Sequence, residues 1–169
     1  MEYPLLLNYI GLYSPIILFF LTLFLIRNIT CFLNFFVLGF ILNNILNILL
    51  KLFFKDPRPS ENKRVIQIGI ENGNYFNFEN YGMPSGHAQN CGYFLTYCAF
   101  VLQNFYINIL YLIITIITIL QRYINKKHTI LQLIVGIIIG IIVGYITYKV
   151  SQNKIQGNMK MKPDEDAPI

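Results

Sequence analysis

Apolar residues gather along the chain into five long runs: Leu5 to Ile26, Cys31 to Leu50, Ala88 to Gln103, Phe105 to Leu120 and Ile130 to Tyr148. A helix of about 20 residues covers roughly 30 Å, the thickness of a bilayer's hydrocarbon core, so the first, second and fifth runs are long enough to cross unaided. The third and fourth are shorter. Only Asn104 separates them, which predicts a tight helical hairpin, with the Arg122 region extending the fourth helix at its other end. A buried soluble hairpin is the competing reading of that pair, but a soluble domain of this length has too little interior to hide five such runs. The expected fold class is all-α, an integral-membrane helical bundle of about five transmembrane helices.

Polar residues interrupt this pattern in two places. The segment from Lys55 to Gly86 mixes Asn, Gly and charge with scattered Ile, Tyr and Phe and is too long for a simple turn. After Tyr148 the chain turns polar again, with Lys154, Lys160 and Lys162 beside Asp164, Glu165 and Asp166. The domain expected is therefore residues 1–150, with the 55–86 loop inside it and 151–169 as a disordered tail. Threading five spans through a bilayer puts the N-terminus, the long loop and the Gln121 to Thr129 connection on one face, and the Arg27 turn, Asn104 and the tail on the other.

Composition agrees with a lipid solvent: of 169 residues 55% are hydrophobic and only 12% charged. No basic stretch or small-residue cleavage pattern accompanies the first run, so it is expected to stay as an anchor. Cys31, Cys91 and Cys98 all fall inside apolar runs and have no metal-ligand spacing, which speaks against a disulfide framework or a zinc site. The formal net charge of +5 suits an anionic membrane surface, but the basic residues are scattered and carry no nucleic-acid motif.

Three clusters carry the candidate chemistry, and the threading puts all of them on one face. In the first, Lys51 ends an apolar helix and Arg58 follows seven residues later, just beyond a helix-stopping proline, so two permanent cations can converge on one anion. Taken singly, both read equally as a snorkelling lysine and a decorated loop. The second is Tyr81-Gly-Met-Pro-Ser-Gly-His-Ala-Gln89, in which Pro84 and Ser85 announce a helix start. Backbone N–H groups there point outward, the Ser85 hydroxyl adds a donor, and Gly86 lets a phosphate approach closely, with His87 beside it. In the third, Arg122 offers a bidentate clamp, while His128 and Gln132 stand one helical turn apart. At that spacing the Gln132 amide oxygen can accept a proton from one imidazole nitrogen and leave the other free to attack. These are the only two histidines in the chain.

The clusters resemble the type 2 phosphatidic acid phosphatase superfamily, whose signature is K-x6-R-P, then P-S-G-H, then S-R-x5-H-x3-D. The first two parts match in full. The third departs at Gln121, where Ser is usual, and at Gln132, where an Asp usually orients the nucleophilic histidine. Together with Tyr81-Gly-Met-Pro-Ser-x-His-x-Gln89, the stretch His128-Thr-x-x-Gln132 is similar to the dolichyldiphosphatase branch, which itself carries Gln there. The resemblance runs from about Tyr9 to Gly144. It implies that Lys51, Arg58, Ser85, Gly86 and Arg122 bind phosphate, that His128 attacks it, that His87 protonates the leaving group and that Gln132 orients His128. It also implies hydrolysis of a polyisoprenoid (dolichyl) diphosphate to the monophosphate through a phosphohistidine, in the endoplasmic reticulum membrane with the site facing the lumen. Neither cofactor nor metal is called for, since preplaced cations and N–H donors serve phosphoryl transfer. The alternatives are a phosphatase acting on phosphatidic acid or a short isoprenoid diphosphate, and a catalytically silent lipid-binding relative.

An amide stabilises an imidazolium less well than a carboxylate does, but a lipid phosphate leaves more readily than an alkoxide. On that ground Gln132→Asp is expected to be tolerated, or to broaden activity towards phosphomonoesters. Asn43, Asn44 and Asn47 precede Lys51 on one helix and read chiefly as helix–helix adhesion, with bracing of the lysine as the other possibility. Gly136, Gly140 and Gly144 form a small-residue stripe for close helix packing. The sequon Asn28-Ile-Thr30 lies hard against two spans on the opposite face and is expected to go unused.

Overall fold

A computed structural model describes residues 5–59 and 80–160, with side chains described to 157. Five helices follow one another: α1 Leu5–Ile26, α2 Thr30–Phe54, α3 Gly86–Leu102, α4 Phe105–Ile124 and α5 Ile130–Lys160. Four of them, all but α3, are long and apolar enough to cross a membrane. Up to Tyr148 these helices expose many large apolar side chains, from Leu5 and Phe20 through Leu42 and Ile113 to Ile142, whereas the last turns of α5 expose Lys149, Asn153 and Lys154. The apolar part is the expected surface where the surrounding solvent is hydrocarbon.

The third helix differs because it is interior. Ten of its seventeen residues are buried, among them Gln89, Asn90, Tyr93, Phe94 and Tyr97, so it carries polar groups that a lipid-facing helix could not. Its closest partner is α5, and the glycine stripe is the reason. A Cβ at Gly136 would meet the carbonyl oxygen of Ser85 at 2.6 Å, one at Gly144 the carbonyl oxygen of Tyr93 at 2.8 Å, and one at Gly140 would run into the carbonyl of Gln89. On the facing helix, Gly92 does the same against the Ile137 carbonyl at 2.7 Å. Backbones approach so closely only where side chains are missing.

Around this pair the tyrosines of α3 fasten α2, with the Tyr93 and Tyr97 hydroxyls donating to the carbonyls of Phe36 and Phe32, each at 2.7 Å. An amide ladder continues the join. Asn47 Nδ2 donates to Gln89 Oε1 at 2.7 Å, Gln89 Nε2 to Asn43 Oδ1 at 2.9 Å, Asn43 Nδ2 to Asn90 Oδ1 at 2.7 Å, and Asn90 Nδ2 to Asn44 Oδ1 at 3.1 Å. The asparagines of α2 thus act as helix adhesion.

Turns fall close to where the sequence puts them. Gln103 ends α3 in the left-handed region at φ 49, and the Asn104 side chain caps α4 by accepting from the N–H groups of Tyr106 and Ile107 at 3.0 and 3.1 Å. The fourth helix runs on past Leu120 to Ile124 and so includes Arg122. One boundary differs from expectation: α5 continues to Lys160, ten residues beyond the assigned domain end. Ser151 is fully buried and donates to the Tyr148 carbonyl at 2.6 Å, so intrahelical bonding and local packing carry the helix through a polar stretch. Of the long loop, residues 60–79 lie outside the described residues, as do 161–169 of the tail.

Candidate functional site

Every residue singled out for chemistry lies at one end of the bundle, where α2 and α4 finish and α3 and α5 begin. The chain places them by short, local devices. Lys55 closes α2 at φ 47 with its N–H on the Lys51 carbonyl at 3.0 Å, which leaves Lys51 buried in the last turn. Residues 56–58 then run antiparallel to 80–82. The Gly82 N–H donates to the Asp56 carbonyl at 2.6 Å and the Arg58 N–H to the Asn80 carbonyl at 3.4 Å. This pairing closes the long loop on itself and sets Arg58 beside the segment that leads into Ser85 and α3.

Ser85 occupies the N-cap of α3 and is fully buried, yet its side chain caps nothing. Its backbone N–H is held by the Gln132 carbonyl at 3.1 Å. The Ser85 hydroxyl and the Nε of Arg122, both buried, have no hydrogen-bond partner among the described residues. Buried donors in that condition are costly unless a ligand supplies an acceptor. Gly86 follows at the first turn, packed over Asn47.

After α4 the chain folds back in a tight turn, with the N–H groups of Lys127 and His128 both donating to the Arg122 carbonyl at 3.0 and 3.3 Å. His128 is thereby carried into the interior, only 3% exposed. Its Nδ1 faces two acceptors, the Gly82 carbonyl at 3.0 Å and Gln132 Oε1 at 3.3 Å. A carbonyl cannot donate, so the ring proton resides on Nδ1 and the lone pair of the neutral ring on Nε2. Burial, then the charges of Arg58 and Arg122 and more weakly Lys51, depress the His128 pKa from 6.5 to about 3, against the opposing hydrogen bond from Gln132. The ring is therefore neutral near pH 7.

Gln132 is itself held on both ends. Its oxygen also accepts from the Thr129 N–H at 3.1 Å, while its Nε2 donates to Asp56 Oδ2 at 2.7 Å and to the Pro57 carbonyl at 3.1 Å. Its amide orientation is the one that satisfies all four partners.

His87 sits across the cluster. Its Nε2 lies 3.0 Å from the Leu12 carbonyl of α1, which places the proton of the neutral ring on Nε2; Arg122 Nη2 is 2.7 Å from both ring nitrogens and so can donate only to Nδ1. Arg122 thus joins the two histidines, through its side chain to His87 and its backbone to His128. Two grooves flank the cluster. One of about 450 Å³ opens beside His87 among Leu12, Tyr13, Ile16 and Asn90, and one of about 550 Å³ beside His128 among Tyr123, Ile124, Ile130 and Leu131.

All eight sequence-derived candidates, Lys51, Arg58, Ser85, Gly86, His87, Arg122, His128 and Gln132, therefore share one end of the bundle. Gln121 stands apart: its amide donates to Asn8 Oδ1 at 2.8 Å, and its stem fills the space left by Gly11, so it ties α4 to α1. Sequence reasoning missed Asp56, which sits among the unspecified residues of K-x6-R-P. It also missed the carbonyls of Gly82 and Leu12, since a backbone group has no signature in a sequence.

Fold and site together define an all-helical integral-membrane protein with a cationic, histidine-bearing pocket at one end of its bundle. The family model described as PAP2 superfamily matches residues 32–156, and the chain belongs to that superfamily. Membership makes it one of a group of phosphatases that act on lipid-type phosphates in the bilayer. No curated protein and no solved structure matches the chain.

Proposed function

We propose that this protein removes the terminal phosphate of a polyisoprenoid diphosphate, of the dolichyl type, through a phosphohistidine formed on His128. The observation that carries the reading is that His128 Nδ1 faces two acceptors, the Gly82 carbonyl and Gln132 Oε1, which assigns the ring proton to Nδ1 and leaves Nε2 unprotonated in a cluster containing Lys51, Arg58 and Arg122. Nε2 attacks phosphorus, the phosphoanhydride P–O bond breaks, and its electron pair leaves on the lipid monophosphate oxygen. The three cations, the Ser85 hydroxyl and the N–H groups at the start of α3 take up the charge on the transferring group. His87 acts as the acid in its doubly protonated form: once the bound phosphate draws Arg122 off Nδ1, the ring takes up a proton there from solvent, gives the Nε2 proton to the leaving oxygen in place of its bond to Leu12, and so returns to neutral. Water then attacks the phosphoimidazole, and inorganic phosphate departs.

The diphosphate preference rests on Gln132, the mark shared with the dolichyldiphosphatase branch. A lipid phosphate is a better leaving group than an alkoxide and asks less of the attacking imidazole. The apolar grooves beside both histidines suit a lipid tail. By the same resemblance the membrane is that of the endoplasmic reticulum and the catalytic face is lumenal. The test is phosphate release from dolichyl diphosphate in detergent with chelator present, set against phosphatidic acid and farnesyl diphosphate. The native chain is expected to favour dolichyl diphosphate and His128→Ala to fall to background. Equal release from the two proteins rejects the nucleophile, and a preference for phosphatidic acid rejects the substrate.

A further inference from the structure

Gln132 stands where relatives of this chain usually carry the carboxylate that steadies the attacking histidine, and an amide has no charge with which to do that. The structure nevertheless brings a carboxylate to the far side of the same amide. Asp56 Oδ2 accepts from Gln132 Nε2 at 2.7 Å, while Gln132 Oε1 faces His128 Nδ1 at 3.3 Å. The three groups come from separate places: the Asp from the turn after α2, the Gln from the first turn of α5, and the His from the connection before it. Two further bonds hold the arrangement, from Thr129 N–H to Gln132 Oε1 and from Gly82 N–H to the Asp56 carbonyl.

We infer that Asp56 is the displaced carboxylate of this site, a positioning residue that acts on His128 through the Gln132 amide. The inference rests on the reading of His128 as the nucleophile. When the N–P bond forms at Nε2, the ring keeps its proton on Nδ1 and becomes a cation. The Nδ1–H then leans on Gln132 Oε1, and the carboxylate at the other end polarises the amide so that its oxygen is more negative. No proton moves along the chain of bonds: Nδ1 keeps its own, and so does the amide. When water cleaves the N–P bond the ring returns to neutral and the demand on Asp56 lapses. Because the cations crowding His128 all disfavour a positive ring, the compensating negative charge matters most in that step.

Placement of the carboxylate one group further out makes a prediction that a structural role does not. Asp56→Asn keeps an acceptor for Gln132 Nε2 and loses only the charge, so turnover on dolichyl diphosphate is expected to fall ~10–100-fold with KM little changed. Gln132→Asp sets a second carboxylate against Asp56, and like charges so close penalise both. The single variant is therefore expected to be poor, in contrast to its expected tolerance on sequence alone. In the double variant Asp56→Asn with Gln132→Asp, the carboxylate stands directly on His128, and turnover is expected to recover at least tenfold over Gln132→Asp. The Asp56 substitution thus harms one background and helps the other. Asp56→Ser replaces Asp56→Asn in both backgrounds if the asparagine variant does not fold. Native turnover in Asp56→Asn, or the same loss in both backgrounds, overturns the inference. His128→Ala, run alongside, separates the two readings, because full activity there removes the nucleophile itself, whereas its silence with an indifferent Asp56 removes only the relay.

Discussion

The carbonyl of Gly82 and the imidazole of His128 are 3.0 Å apart although 46 positions separate them in the chain. The approach depends on the missing side chain, because a Cβ on Gly82 would fall on the Gln132 amide. Gly82→Ala is therefore expected to push Gln132 away from His128 and Asp56 together. A loss of ~1–3 kcal/mol in stability is the usual cost of such overpacking, and turnover should fall further than thermal unfolding in detergent accounts for.

Arg122 has a role a lysine cannot fill. Its Nη2 reaches His87 at 2.7 Å while its buried Nε awaits an acceptor, and a planar fork can serve both at once. Arg122→Lys keeps the charge and loses the fork, with turnover expected to drop about 10²-fold. Steady-state kinetics on dolichyl diphosphate check this, and a change confined to KM would contradict it.

The interior helix pair sets the platform for the site. Gly140→Ala drives a methyl group into the Gln89 carbonyl and to 2.8 Å from the Tyr93 amide nitrogen. Since backbone cannot swing aside as a side chain can, a cost at or above the upper end of ~1–3 kcal/mol is expected. The melting temperature in detergent should fall accordingly, whereas Gly157→Ala, with open space around it, should leave it unchanged.

Gln89 joins two asparagines of α2 to α3 from a fully buried position. Gln89→Leu keeps the volume but strands the Asn47 and Asn43 amides, an expected cost of ~1–3 kcal/mol. Thermal unfolding measures it. A variant as stable as the native protein would show that the ladder contributes little adhesion.

Acid should weaken the fold through His128. Its pKa is 6.5 ordinarily and about 3 in the folded protein, so protons bind the unfolded chain preferentially. Stability from the neutral ring is complete above pH 6.5 and is lost as pH falls towards 3. The groups sharing its surroundings are Lys51 from α2, Asp56 and Arg58 from the following turn, His87 from α3 and Arg122 from α4. His128→Asn is expected to flatten the fall of melting temperature between about pH 6 and 4, and a curve parallel to the native one would refute the assignment. Inorganic phosphate, by neutralising the cations, should raise the His128 pKa, which an NMR titration of the ring would read.

Much of this architecture was legible because membrane helices obey a length rule and because phosphate chemistry needs a few residue types at fixed spacings. The runs from Leu5, Cys31 and Phe105 became helices within a few residues of their apolar limits, and the last helix begins at Ile130 as its run does. The alternation of spans placed Lys51, His87 and His128 at one end before any coordinates. The third run was harder to read, because its weaker apolar character comes from groups such as Gln89 and Asn90 whose partners lie on another helix. The end of α5 was misplaced for a related reason, since a polar stretch gives no hint that intrahelical bonds will continue.

The chain's own residues determined the spans, their order and the set of cations and histidines, because hydrophobic length and residue chemistry are properties carried one position at a time. Tertiary structure alone decided which nitrogen of His128 bears the proton, which way the Gln132 amide points, and that Asp56 stands behind it. Those outcomes depend on carbonyls and a carboxylate brought within about 3 Å by backbone folding, and a hydrogen bond between distant parts of a chain has no existence until the chain has closed around it.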